Sequence, residues 1–120
     1  MKKILTLLAL TIAFTVSAQT NTNFGTESLN SNTTGVHNSA FGYQSLKSNT
    51  TGSYNAASGM FSLLSNTTGN YNTASGYYAL YINTTGDKNT AFGYNAMAST
   101  VNATNQTIIG YEATGQADNS

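Results

Sequence analysis

Asn49-Thr50-Thr51-Gly52-Ser53-Tyr54-Asn55-Ala56-Ala57-Ser58-Gly59 and, seventeen residues later, Asn66-Thr67-Thr68-Gly69-Asn70-Tyr71-Asn72-Thr73-Ala74-Ser75-Gly76 are two copies of one pattern. The closing glycine of each copy belongs to a column, Gly25, Gly42, Gly59, Gly76, Gly93 and Gly110, with the same step throughout and no insertion or deletion. The Asn-Thr-Thr-Gly turn keeps that step, starting at Asn32, Asn49, Asn66 and Asn83. So strict a period makes each unit one coil stacked on the next, because an inserted residue would throw every later side chain off its column. The chain is therefore expected to be all-β, a parallel β-roll, or solenoid, of 17-residue coils.

Other columns follow from the glycines. The residue before each glycine is Phe24, Phe41, Ser58, Ser75, Phe92 or Ile109, and the residue four after it is Leu29, Leu46, Leu63, Leu80, Met97 or Thr114. Both columns read as inward-facing, so the expected core is Phe24, Leu29, Phe41, Leu46, Leu63, Leu80, Phe92, Met97 and Ile109. The small residues Ala40, Ala57, Ala74 and Ala91 mark close approach of neighbouring backbones. Asn38 to Gly42 and Tyr43 to Leu46 read as two short strands per coil, joined at the glycine corner. Ser75 to Ile82 has helical spacing of Tyr77, Leu80 and Tyr81, but Asn, Thr, Ser and Gly at every turn are poor helix formers. The amides of Asn38, Asn55, Asn72 and Asn89 fit either a stacked side-chain ladder or plain turn chemistry.

The first eighteen residues are of another kind. Lys2 and Lys3 precede an apolar run from Ile4 to Val16, and Val16-Ser17-Ala18 supplies small residues, the pattern of a secretory signal peptide cleaved between Ala18 and Gln19. The run is too short to span a bilayer. Residues 19–104 form the repeat region, in which the Asn-Thr-Thr-Gly turn is lost from Thr100 to Ala103, and 105–120 a last, degenerate coil. After cleavage, Lys47 and Lys88 stand against Glu27, Asp87, Glu112 and Asp118, two cations against four carboxylates. Nucleic acid, which calls for clustered Lys and Arg, is excluded as a partner on that charge. Without cysteine, disulfides and thiolate metal sites are unavailable.

Catalytic chemistry finds no foothold. His37 occupies a position filled in later coils by Tyr54, Tyr71 and Lys88, which marks a solvated turn site, and Glu27 and Glu112 lie five coils apart, too far for a paired acid and base. No cofactor or metal is expected, and the chain is not expected to be an enzyme. The N-x-S/T matches at Asn32, Asn49, Asn66 and Asn83 are the repeated turn itself. Tyr54, Tyr71, Tyr78 and Tyr81 fall outside the apolar columns and suit contact with proteins or sugars, or equally with another copy of the chain. Thr33-Thr34, Thr50-Thr51, Thr67-Thr68 and Thr84-Thr85 would form a hydroxyl ladder, which suits a lattice binder such as an ice-binding or glycan-array protein. With only two or three large apolar side chains per coil, a lone stack is marginal and self-association is expected.

Asn38-Ser39-Ala40-Phe41-Gly42-Tyr43, Asn89-Thr90-Ala91-Phe92-Gly93-Tyr94 and Asn105-Gln106-Thr107-Ile108-Ile109-Gly110-Tyr111 resemble the head repeats of YadA-like trimeric autotransporter adhesins. The 17-residue unit with Asn-Thr-Thr-Gly also resembles repeat shafts of bacterial and phage tail-fibre proteins. The resemblance covers Asn21 to Ser120 and implies a left-handed parallel β-roll, a homotrimer, and secretion to a bacterial cell surface with a host or matrix protein or a glycan as partner. The family's head unit is usually shorter and is followed by a stalk and a membrane anchor. Asn119-Ser120 reads as the opening of another coil, so the chain is expected to be a fragment or a truncated product.

Overall fold

A computed structural model describes residues 20–97 and 100–115. The expected signal peptide, its Ala18-Gln19 cleavage point and the tail from Gln116 lie outside the described residues. Six three-residue strands, β1 (Thr22–Phe24), β2 (Ser39–Phe41), β3 (Ala56–Ser58), β4 (Thr73–Ser75), β5 (Thr90–Phe92) and β6 (Thr107–Ile109), form one parallel sheet in chain order. Every pairing joins a residue to its copy seventeen positions on, as in Asn23 with Ala40 and Ala40 with Ala57. The chain is a β-solenoid, as its period requires. No helix among the described residues is long and apolar enough to cross a membrane.

Each coil holds one strand, not two. The segment expected as a second strand, Tyr43 to Leu46, is a turn in which Gln44 (φ 56°) and Leu46 (φ 51°) are both left-handed. Corresponding residues repeat the conformation, among them Phe61, Leu63, Tyr78 and Leu80, and a third left-handed site holds His37, Tyr54, Tyr71, Lys88 and Asn105. Left-handed backbone costs a non-glycine residue roughly 1–2 kcal/mol. Two gains offset that cost. The turn backbone bonds the next coil, as in Leu46 N–H to Ser62 O at 3.0 Å, and the leucine side chain it aims inward is fully buried. At the corner only glycine serves: Gly59 has φ 137°, and a Cβ there would stand 2.6 Å from the carbonyl oxygen of Gly76.

The core differs from expectation on one column. Leu29, Leu46, Leu63 and Leu80 are buried as expected, and Met97 is half-buried. Phe24, Phe41, Phe92 and Ile109 are not core residues: they are 78, 45, 62 and 69% exposed. Side chains alternate along a strand, and the middle residue of each triplet is the one that points in. Ala40, Ala57, Ala74, Ala91 and Ile108 are therefore inside, and their larger neighbours are outside.

Two asparagine ladders fill the remaining interior. In the first, each backbone N–H donates to the side-chain Oδ1 one coil back: Asn55 to Asn38, Asn72 to Asn55 and Asn89 to Asn72, each at 2.9 Å. Their Nδ2 groups donate to turn carbonyls, Asn55 to Gly69 and Asn72 to Gly86 at 2.8 Å. The second ladder lies in residues read from sequence only as turn formers. Asn49 Nδ2 donates to Asn32 Oδ1 at 2.8 Å, and Asn66 to Asn49 and Asn83 to Asn66 at 2.9 Å. Asn49, Asn66 and Asn83 are fully buried, so their N-x-T matches are not open to a glycan in the folded chain. Every buried side-chain polar atom among the described residues has a hydrogen-bond partner, as an interior this polar requires. Where the Asn-Thr-Thr-Gly turn is lost, Ala103 takes over its closing position and Gln106 the next amide position. Asn89 still donates to Ala103 O at 2.6 Å, and Gln106 N–H to Asn89 Oδ1 at 3.1 Å.

Candidate functional site

Two outward surfaces run the length of the stack. The first is the strand face, built by the outer residues of each triplet: a Thr/Ser/Ala column of Thr22, Ser39, Ala56, Thr73, Thr90 and Thr107 beside the Phe/Ser/Ile column. Because the pairing is in register, each column is parallel to the stack, and the face is a regular ribbon carrying exposed aromatic rings at β1, β2 and β5. Ser58 and Ser75 replace those rings at β3 and β4, leaving a mainly apolar depression of about 330 Å³ bordered by Phe41, Ala56 and Thr73. The exposed apolar side chains thus form two groups, Phe24 with Phe41 and Phe92 with Ile109, on either side of that depression.

The second surface is an aromatic edge that begins just after the glycine corner. Tyr77, Tyr94 and Tyr111 stack in parallel, with ring centres 5.5 and 5.1 Å apart and planes within 4° and 13°. Phe61 and Tyr78 stack beside them at 5.1 Å, and Tyr81 meets Tyr78 edge-on at 4.8 Å. The Tyr77 phenol titrates above its ordinary value, chiefly because it is hydrogen-bonded with Tyr78 and secondarily through desolvation. Stacked rings cover one another's faces, so this edge offers ring edges and hydroxyls along its length.

The four tyrosines singled out by sequence do not form one surface. Tyr78 and Tyr81 belong to the aromatic edge and are half-buried, whereas Tyr54 and Tyr71 stack on each other elsewhere, 5.0 Å apart with planes at 3°. His37 extends that second stack, lying 4.9 Å from Tyr54. The stacking of Tyr77, Tyr94 and Tyr111 was missed, although the seventeen-residue step between them was its signal.

Charge is local. Lys47 Nζ and Gln44 Nε2 both donate to Glu27 Oε2 at 2.6 Å, and these bonds, with the lysine charge, hold the Glu27 carboxyl below its ordinary range. Asp87 accepts from the Asn70 backbone N–H at 2.6 Å and so belongs to a turn. In the turns, the hydroxyls of Thr33, Thr50 and Thr67 donate to carbonyls of the next coil at 3.0 to 3.1 Å, and the exposed threonines are Thr34, Thr51, Thr68 and Thr85, with Thr33 in the first turn. Among the described residues, no three His, Cys, Asp or Glu side chains lie together as a metal site. Comparison of the chain with protein-family models, curated proteins and solved structures finds no match, so any functional reading rests on these surfaces.

Proposed function

We propose that this chain is a non-catalytic structural and binding module, a segment of a surface-displayed adhesin head or tail-fibre-like shaft, that assembles with copies of itself as a parallel homotrimer. The observation that carries the reading is the strand face, where Phe24, Phe41, Phe92 and Ile109 stand exposed in register while the interior is filled by leucine, alanine and asparagine. Removing apolar surface from water contributes about 25 cal/mol per Å². Three parallel stacks around a common axis would bring equal levels of this face together, aromatic against aromatic. The resemblance to trimeric head repeats supports the same number of copies.

Within that reading the aromatic edge is the surface left for a partner, a host or matrix protein or a glycan. Its ring edges and hydroxyls suit hydrogen bonding and sideways packing better than face-stacking on a sugar. The lattice-binding alternative loses support in the turns, since the first threonine of each pair already spends its donor on a carbonyl.

The test is the solution mass of the chain after removal of residues 1–18, measured by sedimentation. Three copies are expected, and Phe41→Asp with Phe92→Asp should give a folded monomer. A parent chain that is folded and monomeric at micromolar concentration would overturn the reading.

A further inference from the structure

Tyr54 and Tyr71 are 49 and 56% exposed, and in the other stack Tyr94 and Tyr111 are 43 and 75% exposed. Their backbones cannot drift apart independently. Tyr54 N–H bonds Val36 O at 3.0 Å and Tyr71 N–H bonds Ser53 O at 3.1 Å, so each ring sits on a coil tied to the one before it. Tyr54 and Tyr71 have ring centres 5.0 Å apart and planes at 3°, so the π faces that carry the spin density of a phenoxyl radical, ortho carbons included, are turned toward one another. The chain has no cysteine, so disulfides cannot join its coils.

We propose that these stacks are oxidative cross-linking sites, at which Tyr54 is joined to Tyr71, and Tyr94 to Tyr77 or Tyr111, as dityrosine by hydrogen peroxide acting through a haem peroxidase. Each phenol gives up one electron and one proton, forming two phenoxyl radicals, and the peroxide takes up both electrons and both protons to become two waters. The radicals combine ortho carbon to ortho carbon. The hydrogens on those carbons then pass to the phenol oxygens as the rings regain aromaticity, so the product has lost two hydrogen atoms in all. The bond staples one coil to the next without joining separate chains, and it is formed whether or not the chain is a trimer.

Other tyrosine pairs provide the internal control. Tyr77 and Tyr78 have closer ring centres, 4.3 Å, but meet at 78°, and Tyr78 and Tyr81 meet at 89°. An edge aimed at a face does not turn the π faces of the two rings toward each other. Stacking therefore selects Tyr54–Tyr71, where simple proximity would select Tyr77–Tyr78.

The experiment treats the folded chain with dilute hydrogen peroxide and a haem peroxidase, then reads dityrosine emission, intact mass under denaturing conditions, and cross-linked peptides. Expected are single-chain products lighter by two hydrogens per bond, linkage at Tyr54–Tyr71, and a raised melting temperature. The linkage should lose its site preference when oxidation is run in urea. Tyr71→Phe keeps the stacked ring and the fold, confirmed by circular dichroism, and should abolish cross-linking of Tyr54 while leaving the Tyr94 products in place. Linkage confined to Tyr77–Tyr78 or to pairs in different chains, or no dityrosine under conditions that cross-link the unfolded chain, would overturn the proposal.

Discussion

Ala57 and its neighbours Ala56 and Ser58 share one three-residue strand, yet the two sides of that strand follow different rules. The inward column, Ala40, Ala57, Ala74 and Ala91, repeats without change until Ile108, whereas the outward column runs Phe24, Phe41, Ser58, Ser75, Phe92 and Ile109. An inward side chain meets its own copies above and below and the buried ladders beside it, so its size is set by the fixed rise between paired strands. An outward side chain meets solvent or a partner and is free of that limit. Uniformity therefore identifies what the solenoid needs for itself, and variation identifies what it presents.

Substitutions can break that comparison, beginning with the interior. Leu63→Asp would place an unpaired carboxylate in a fully buried column, a cost of several kcal/mol. Loss of the cooperative thermal transition is expected in circular dichroism. Asn72→Ala should come next, at about 1–3 kcal/mol, because it leaves the Asn89 N–H buried without its acceptor and removes one of the two donors to the Gly86 carbonyl, the other being Asn83 Nδ2. Chemical denaturation would measure it. If Asn72→Ala proves silent, the ladders are not what specifies the interior.

Backbone strain gives a smaller effect of the opposite sign. Lys88 is left-handed at φ 59° on an exposed turn whose next copy is Asn105, so Lys88→Asn should stabilise by about 0.5–1 kcal/mol. On the strand face, Phe41→Asp should change the stability of an isolated stack by less than about 0.5 kcal/mol while weakening self-association, a contrast that a dilution series of melting curves resolves. A large loss of monomer stability there would return the phenylalanines to the core.

The smallest effects are those of pH. Glu27 is held below its ordinary value by Lys47 and Gln44, so its contribution is present above the ordinary carboxylate pKa and is lost as pH falls through the lowered one. Tyr77 is raised above its ordinary value, so its contribution is complete below that value and lost as pH rises through the raised one. Glu27→Gln should flatten the acid limb of a melting-temperature profile and Tyr77→Phe the alkaline limb. Glu27 is exposed and Tyr77 only half-buried, so both changes should be slight.

What the sequence determined by itself was the architecture. The seventeen-residue step was enough to establish the stacked coil, the glycine corners and the leucine column, because a solenoid meets the same environment at every turn and its residues record it. What only the tertiary structure decided was which way each column faces and how the polar interior is satisfied. A three-residue strand is too short for alternation to show its register, so Phe41 read as core until the pairing placed Ala40 inside. The second strand failed because left-handed Gln44 and Leu46 are favoured by bonds to the neighbouring coils, Gln44 N–H to Thr26 O and Leu46 N–H to Ser62 O, rather than by local propensity. Asn49 has the composition of a turn wherever it stands, and only stacking seventeen residues away makes its amide a rung of a buried ladder.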